Sequence, residues 1–278
     1  MLINTISDFT KLIPTSEGTD YSAIEPFLLQ AESQIKLWLT GPDLYDAIVA
    51  LQLTDAAKQQ LRILVANTAY HLAIPFADLI QTSNGFAVVS NSNHAPASKE
   101  RVERLINRIE QVIDFSTDSL IFLVYNTPSL LAQWKKSDRF KQIVNCFFVT
   151  GTEYALYTQI NGSKHAALNA DKGKLISFQE NIIAPVISKV YLDQLIEEIR
   201  NNDFSDGFGN VMNYCRMILA RLIEGNREET EKLLNSLSNF LDANLSVYTT
   251  YAGSDEYKLK SGKKYQNTAD APGYFFGM

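Results

Sequence analysis

Cysteine is nearly absent: Cys146 and Cys215 are the two in 278 residues. Two cysteines so far apart exclude a disulfide-stapled scaffold and a cysteine zinc knuckle, and they read as small buried hydrophobes. Histidine is almost as scarce, and His71, His94 and His165 have neither a second metal ligand at metal spacing nor a nucleophile motif around them. His71 reads as a satisfied, partly buried member of a helix. There is no phosphate-binding loop and no HExxH. Gly207-Phe208-Gly209 lacks the preceding strand and third glycine of a dinucleotide fingerprint, so it reads as a loop. Glu197, Glu198, Glu228 and Glu229 read as solvated helix faces. The expectation is a protein that is not an enzyme, with no cofactor and no metal.

Positive charge is short as well. Lys and Arg number 25 against 31 Asp and Glu, for a net charge of −6 and a pI near 5.2. Broad binding to nucleic-acid phosphates needs clustered Lys and Arg to displace counterions, so this balance argues against it. No run approaches the roughly 18 apolar residues that would cross a bilayer. The stretch MLINTISDFTKLIPTSEG has no basic segment leading into an unbroken apolar core, so no signal peptide is read there. A soluble cytoplasmic protein with no membrane contact is expected. What the chain does have is 46% apolar residues, enough to bury a real core in one large or two ordinary domains.

The apolar residues fall at helical spacing, and one stretch recurs. Glu32–Ile48 (ESQIKLWLTGPDLYDAI) resembles Glu180–Ile196 (ENIIAPVISKVYLDQLI), with Ile35, Leu39, Thr40, Leu44 and Ile48 over Ile183, Ile187, Ser188, Leu192 and Ile196 at one constant offset. Each copy predicts an amphipathic helix that bends near Thr40-Gly41-Pro42 or Ser188-Lys189 and resumes. Pro42 suits the start of the second helix, and Pro185 is tolerable only if a helix begins close to Ala184. A rival register sets Ile24 and Pro26 over Ile183 and Pro185. Beyond each copy the segments keep the same order: a helix (61–74 and 211–223), then a longer one opening at Ser98 or at an Asn226/Glu229 capping box, then Ser137-Asp138 or Ser254-Asp255. Polar matches of that kind are not required by periodicity.

The fold class expected is therefore all-α: two tandem helical-bundle modules related by internal duplication, with a small β hairpin-like insertion in the first. The boundaries predicted are an N-terminal arm at 1–22, a first module at 23–137 with the insertion at 76–97, a connecting helix at 138–160, a second module at 161–257 and a tail at 258–278. Asn84-Gly85 reads as a turn into a short β segment carrying Phe86 and Val88. The insertion is either a surface excursion or a contact arm. The tail, which ends in Tyr274, Phe275 and Phe276, either folds back on its own domain or docks in a groove on a partner.

Together AESQIKLWLTGPDLYDAI, LRILVANTAYHLAIP, NGFAVVSN, APASKERVERL and YNTPSLLAQWKKSDRFKQIV resemble uncharacterised proteins of gut-bacterial prophages. The module is similar to the small helical head-tail connector (adaptor) proteins of long-tailed phages, which normally hold one module where this chain has two. The resemblance implies a structural subunit that forms a homo-oligomeric ring on virion assembly, between the portal and tail proteins in the virion neck. DNA would pass through without sequence-specific binding. It places Phe86 and Val88 at a subunit contact or the channel, and Tyr274, Phe275 and Phe276 against the portal or the next subunit. The competing expectation is a helical ligand-binding or regulatory protein with an apolar pocket between the modules near Trp38, Trp134 and Phe147-Phe148. A metal-free hydrolase with a dispersed site is the third.

Overall fold

A computed structural model describes residues 2–13, 20–77, 79–82, 85–88 and 98–262. The chain divides into two compact units, Met1–Gly173 and Lys174–Met278. In the first, Thr5 caps a short helix α1 (Ile6–Thr10) whose Phe9 is buried, and Asp20 caps α2 (Tyr21–Ile35). The turn Lys36–Thr40 is π-helical and leads into α3 (Gly41–Ala50). Asp55 accepts from the Ala57 amide to start α4 (Ala56–Ala73), which ends in one 3-10 turn, Ile74–Phe76. Strands β1 (Leu79–Thr82) and β2 (Gly85–Val88) pair antiparallel, Leu79 opposite Val88 and Gln81 opposite Phe86. Next come α5 (Lys99–Tyr125), α6 (Pro128–Trp134), α7 (Asp138–Ile143) and α8 (Gly151–Ala155). Helix α9 (Lys164–Phe178) crosses the boundary between the units.

The second unit continues with a π-helical turn (Gln179–Ile183), α10 (Ala184–Ile187), α11 (Lys189–Asn201) and α12 (Phe208–Ile223). Helices α13 (Arg227–Ala243), α14 (Thr249–Gly253) and α15 (Asp255–Ser261) complete it. Apolar stripes make each core. In the first unit Ile24, Leu28, Ala31 and Ile35 line the buried face of α2, and Leu61, Leu64, Val65 and Ala69 that of α4. Helix α4 packs against both α2 and α5, and Leu64, Val65, Ala66 and Asn67 are buried in succession, more than the one face a surface helix hides. In the second unit α12 packs on α13 through Val211, Met212, Cys215, Leu219, Leu237 and Leu241, all buried. Cys146 and Cys215 are both buried and form no disulfide.

Both halves of the recurring stretch are buried along its length: Ile35, Leu39, Thr40, Leu44 and Ile48 in one unit, Ile183, Ile187, Ser188, Leu192 and Ile196 in the other. Each unit runs from a π-helical turn to a residue of positive φ, Gly41 (69°) and Ser188 (77°), and then into a new helix. The positive φ falls one place out of the sequence register that sets Thr40 over Ser188. Pro185 is accommodated at the first turn of α10, where its missing amide costs no intrahelical bond.

One predicted element is corrected. The connecting helix at 138–160 does not exist as a single helix: α7 stops at Ile143, Val144 leaves helical geometry (φ −100°, ψ 65°), and helix resumes only at Gly151. Val144, Cys146, Phe147, Phe148 and Val149 are buried almost in succession, which a helix docked by one face cannot achieve. Thr150 then opens α8 with a full capping box, its hydroxyl accepting from the Glu153 amide while Glu153 accepts from the Thr150 amide. The boundary between units correspondingly falls at Gly173/Lys174 rather than at 160/161.

Candidate functional site

The bend after α2 is held by side chains from far along the chain. In a π-helical turn the backbone bonds are offset from the α pattern, and carbonyls at its end need other donors. Trp134 supplies one: its indole Nε1–H donates to the Leu39 carbonyl at 2.9 Å, from a ring that is 1% exposed and sits edge-on to Tyr125 and Phe140. Ser137 lies so close to Gly41 that a Cβ there would fall 2.8 Å from the Ser137 Cβ and overlap its hydroxyl. The same serine caps α7, accepting from the Arg139 amide at 3.1 Å. Thr40 Oγ1 is buried with no hydrogen-bond partner beside a cavity of about 10 Å³ between Leu39, Leu120, Val124 and Trp134, scarcely the space of one water.

A polar cluster on α5 is the second built site. Asp114, 6% exposed, accepts from the Ser163 hydroxyl (2.8 Å), the Lys164 amide (2.6 Å) and the His165 amide (3.3 Å). One turn on, Asp118 accepts from the amides of Gly151 (3.2 Å) and Thr152 (2.8 Å). Two carboxylates on one helix thus anchor the N-termini of α9 and α8, where unsatisfied amides and the helix dipole favour negative charge. Burial raises the Asp118 carboxyl, opposed by the bonds from Thr152 and Gly151 and reinforced by nearby Asp114. His165 is pushed down to about 4, chiefly by burial, with Asp114 pulling up and Lys172 pushing down. Its Nδ1 is shut off from solvent without a hydrogen-bond partner, and its ring lies 5.4 Å from that of Trp38. Burial also lowers Lys172 to about 8, and its ammonium donates to the Ile143 carbonyl at 2.6 Å, closing the end of α7. Tyr154 donates to Asp171 at 2.8 Å.

Perturbed groups gathered in this way are where chemistry is sought first, but the Asp114 and Asp118 carboxylates are taken up by backbone amides and the Ser163 hydroxyl. What the cluster does is fix α7, α8 and α9 against α5. Among the described residues no three His, Cys, Asp or Glu side chains could hold a metal ion together. His71 stands 3.7 Å from Glu110 through Nε2. No described helix is long and apolar enough to cross a membrane.

The second unit has its own clasp at the bend. Ser188 Oγ accepts from the Tyr191 amide at 3.2 Å and caps α11. The Lys189 ammonium bridges Glu180 (2.9 Å) and Asp193 (2.7 Å) across the turn, and its amide points at Glu256 in the first turn of α15 (3.5 Å). Ser254 caps α15, accepting from the Tyr257 amide, as Ser137 caps α7. Asn226 opens α13, its oxygen accepting from the Glu229 amide and its NH2 donating to the Glu229 carboxylate.

Of the residues expected to dock partners, Phe86 and Val88 fall on β2, opposite Gln81 and Leu79. Tyr274, Phe275 and Phe276 lie outside the described residues. Trp134, Phe147 and Phe148 are buried core of the first unit. Sequence reasoning missed the Asp114 and Asp118 cluster, whose partners lie 33 to 51 residues away. The Thr150-x-x-Glu153 signature was its one local signal. A family model described as "Family of unknown function (DUF6712)" matches residues 20–143 and 215–261. No curated protein and no solved structure matches the chain.

Proposed function

The chain belongs to the DUF6712 family, of unknown function, and from that premise we propose that it is a non-enzymatic structural subunit, a head-tail connector (adaptor) of a long-tailed phage or prophage built from a duplicated helical module. In this reading copies pack side by side into a ring in the virion neck, between portal and tail proteins, and DNA passes through without sequence-specific contacts. Insertion 76–97, with Phe86 and Val88, lies at a subunit contact or the channel. The tail, with Tyr274, Phe275 and Phe276, reaches the portal or the next subunit.

What supports this reading is an order of elements around a buried bend that we read as repeated within one chain. In that reading α3, α4, α5, α6 and α7 in the first unit answer to α11, α12, α13, α14 and α15 in the second, with β1 and β2 added in the first unit and α10 in the second. The segments matched by the family model end where α7 and α15 end, at 143 and 261. The Asp118 carboxylate is occupied by the amides that open α8, and the Lys172 ammonium by the carbonyl that ends α7, which suits a rigid building block. An acidic protein is compatible with a DNA channel, since like charge lets the duplex slide without sticking.

The test is co-expression of the full chain with the portal protein encoded beside its gene, followed by electron microscopy of the purified complex. A ring of this chain seated on the portal is the expected result. A chain that stays monomeric at high concentration and leaves the portal bare overturns the reading.

A further inference from the structure

Helix α5 carries a solvent face that its own unit leaves uncovered. Arg101, Arg108, Phe115 and Phe122 stand seven residues apart with Arg104 between the first two, so they form one stripe about 32 Å long at 1.5 Å per residue. All five are exposed, the phenylalanines at 68% and 67%, unusual for aromatics on a free helix. Arg104 donates to its own helix backbone at Glu100 and Arg108 to Gln111. Among the described residues none of the three arginines pairs with a carboxylate. The flanking acids are partly engaged elsewhere, Glu103 by Lys99 at 3.6 Å and Glu110 by His71 at 3.7 Å.

The complementary feature is the loop between α11 and α12. Asn202–Asp206 (NDFSD) is exposed throughout. It is nonetheless a built turn: Asn202 adopts the left-handed conformation at the end of α11 (φ 52°), the Asp203 amide donates to the Glu198 carbonyl, and the Ser205 amide donates to the Glu198 carboxylate at 3.3 Å. Phe204, 51% exposed, lies against Phe208 with ring centroids 4.5 Å apart and the rings tilted by 33°. Asp203 and Asp206 flank it. One element thus offers guanidinium groups followed by aromatic rings, the other an aromatic ring between carboxylates.

We infer that the α5 stripe of one copy receives the Asp203-Phe204-Asp206 loop of a second copy, arginines meeting the aspartates and Phe204 packing on Phe115 or Phe122. Such a contact joins unlike surfaces, so it leaves each copy with one stripe and one loop to offer and propagates until it closes. Carboxylate–guanidinium pairs would set the register and the aromatics the contact area. The inference rests on the self-assembling reading proposed above and names the surface that would serve it.

Sedimentation velocity of the full chain over a concentration series tests this, with R104E/R108E and D203R/D206R variants checked for native helicity by circular dichroism. The wild-type chain self-associates; each reversal weakens that association about tenfold or more, and mixing the two variants restores it, because each then supplies the partner the other has lost. Reversals without effect, or variants that stay dissociated when mixed, overturn the inference. So does a wild-type chain that does not self-associate, or an oligonucleotide that binds the stripe and is released by R104E/R108E. A chain that rings the portal yet ignores these reversals loses this interface and keeps the proposed function.

Discussion

Gly41 and Ser137, 96 residues apart, share a space that admits only one side chain. The bend after α2 turns at Gly41 with φ 69°, and the N-terminus of α7 is pressed into the room its missing Cβ leaves. Gly41→Ala therefore meets two penalties, a left-handed backbone that L side chains resist and an overlap with a capped helix end. Together they should cost about 2–4 kcal/mol. Ser137→Gly removes the opposing side chain and, alone, should cost about 1 kcal/mol through the weakened cap. In urea unfolding the double variant should be more stable than the sum of the two losses predicts. Strict additivity would mean that the overlap is relieved elsewhere.

The second unit meets the same bend with a serine. Ser188 holds φ 77° at a strain of about 1–2 kcal/mol, and its hydroxyl caps α11 through the Tyr191 amide. Ser188→Ala keeps the strain and loses the cap, so a loss of about 1–2 kcal/mol is expected. Ser188→Gly loses the hydroxyl too, but glycine costs an N-cap only a few tenths and removes the strain. It should come out close to neutral. Thermal unfolding of the two variants side by side checks the order, and an alanine variant as stable as the glycine one contradicts it.

The local signals explain which parts of this fold were legible. Asn226 with Glu229 marks the start of α13 and Gly41-Pro42 marks the bend, because each acts through neighbours in sequence. The stretch from Val144 to Val149 misled periodicity, since aromatic and aliphatic residues at mixed spacing fit a helix stripe as well as a strand of chain buried on every side. Long-range caps leave no periodic trace either: nothing around Asp114 in the sequence announces that it will hold the start of α9. The candidate docking residues were the least legible. Phe86 and Val88 fall on β2, the tail aromatics lie outside the described residues, and the exposed stripe of α5 emerges only once the buried face of that helix is known.

Asp114 gathers three polar contacts at the start of α9. Its carboxylate accepts from Ser163, Lys164 and His165, and removing it leaves part-buried donors at the start of α9 unsatisfied. Asp114→Ala should cost about 2–4 kcal/mol. Asp114→Asn keeps one acceptor oxygen and should lie between it and the wild type. Hydrogen exchange gives the specific readout: amides in the first turn of α9 should lose protection before those of α4. Equal loss across both helices would indicate general destabilisation and no capping role.

His165 sets how the first unit responds to acid. Its folded pKa, held near 4 by burial, lies below its ordinary 6.5, so between those values the unfolded chain binds the proton and the folded one does not. Stability from this group is complete above pH 6.5 and drains away as pH falls toward 4. The shift corresponds to at most about 3 kcal/mol. Asp118 works in the opposite sense, because its raised carboxyl favours the folded state at low pH and that contribution is lost as pH rises through its titration. The two can be separated with His165→Gln, which removes the imidazole titration and leaves Asp118 in place. Urea midpoints at pH 7 and pH 5 should fall for the wild type and fall much less for the variant; equal drops would assign the acid sensitivity to another group.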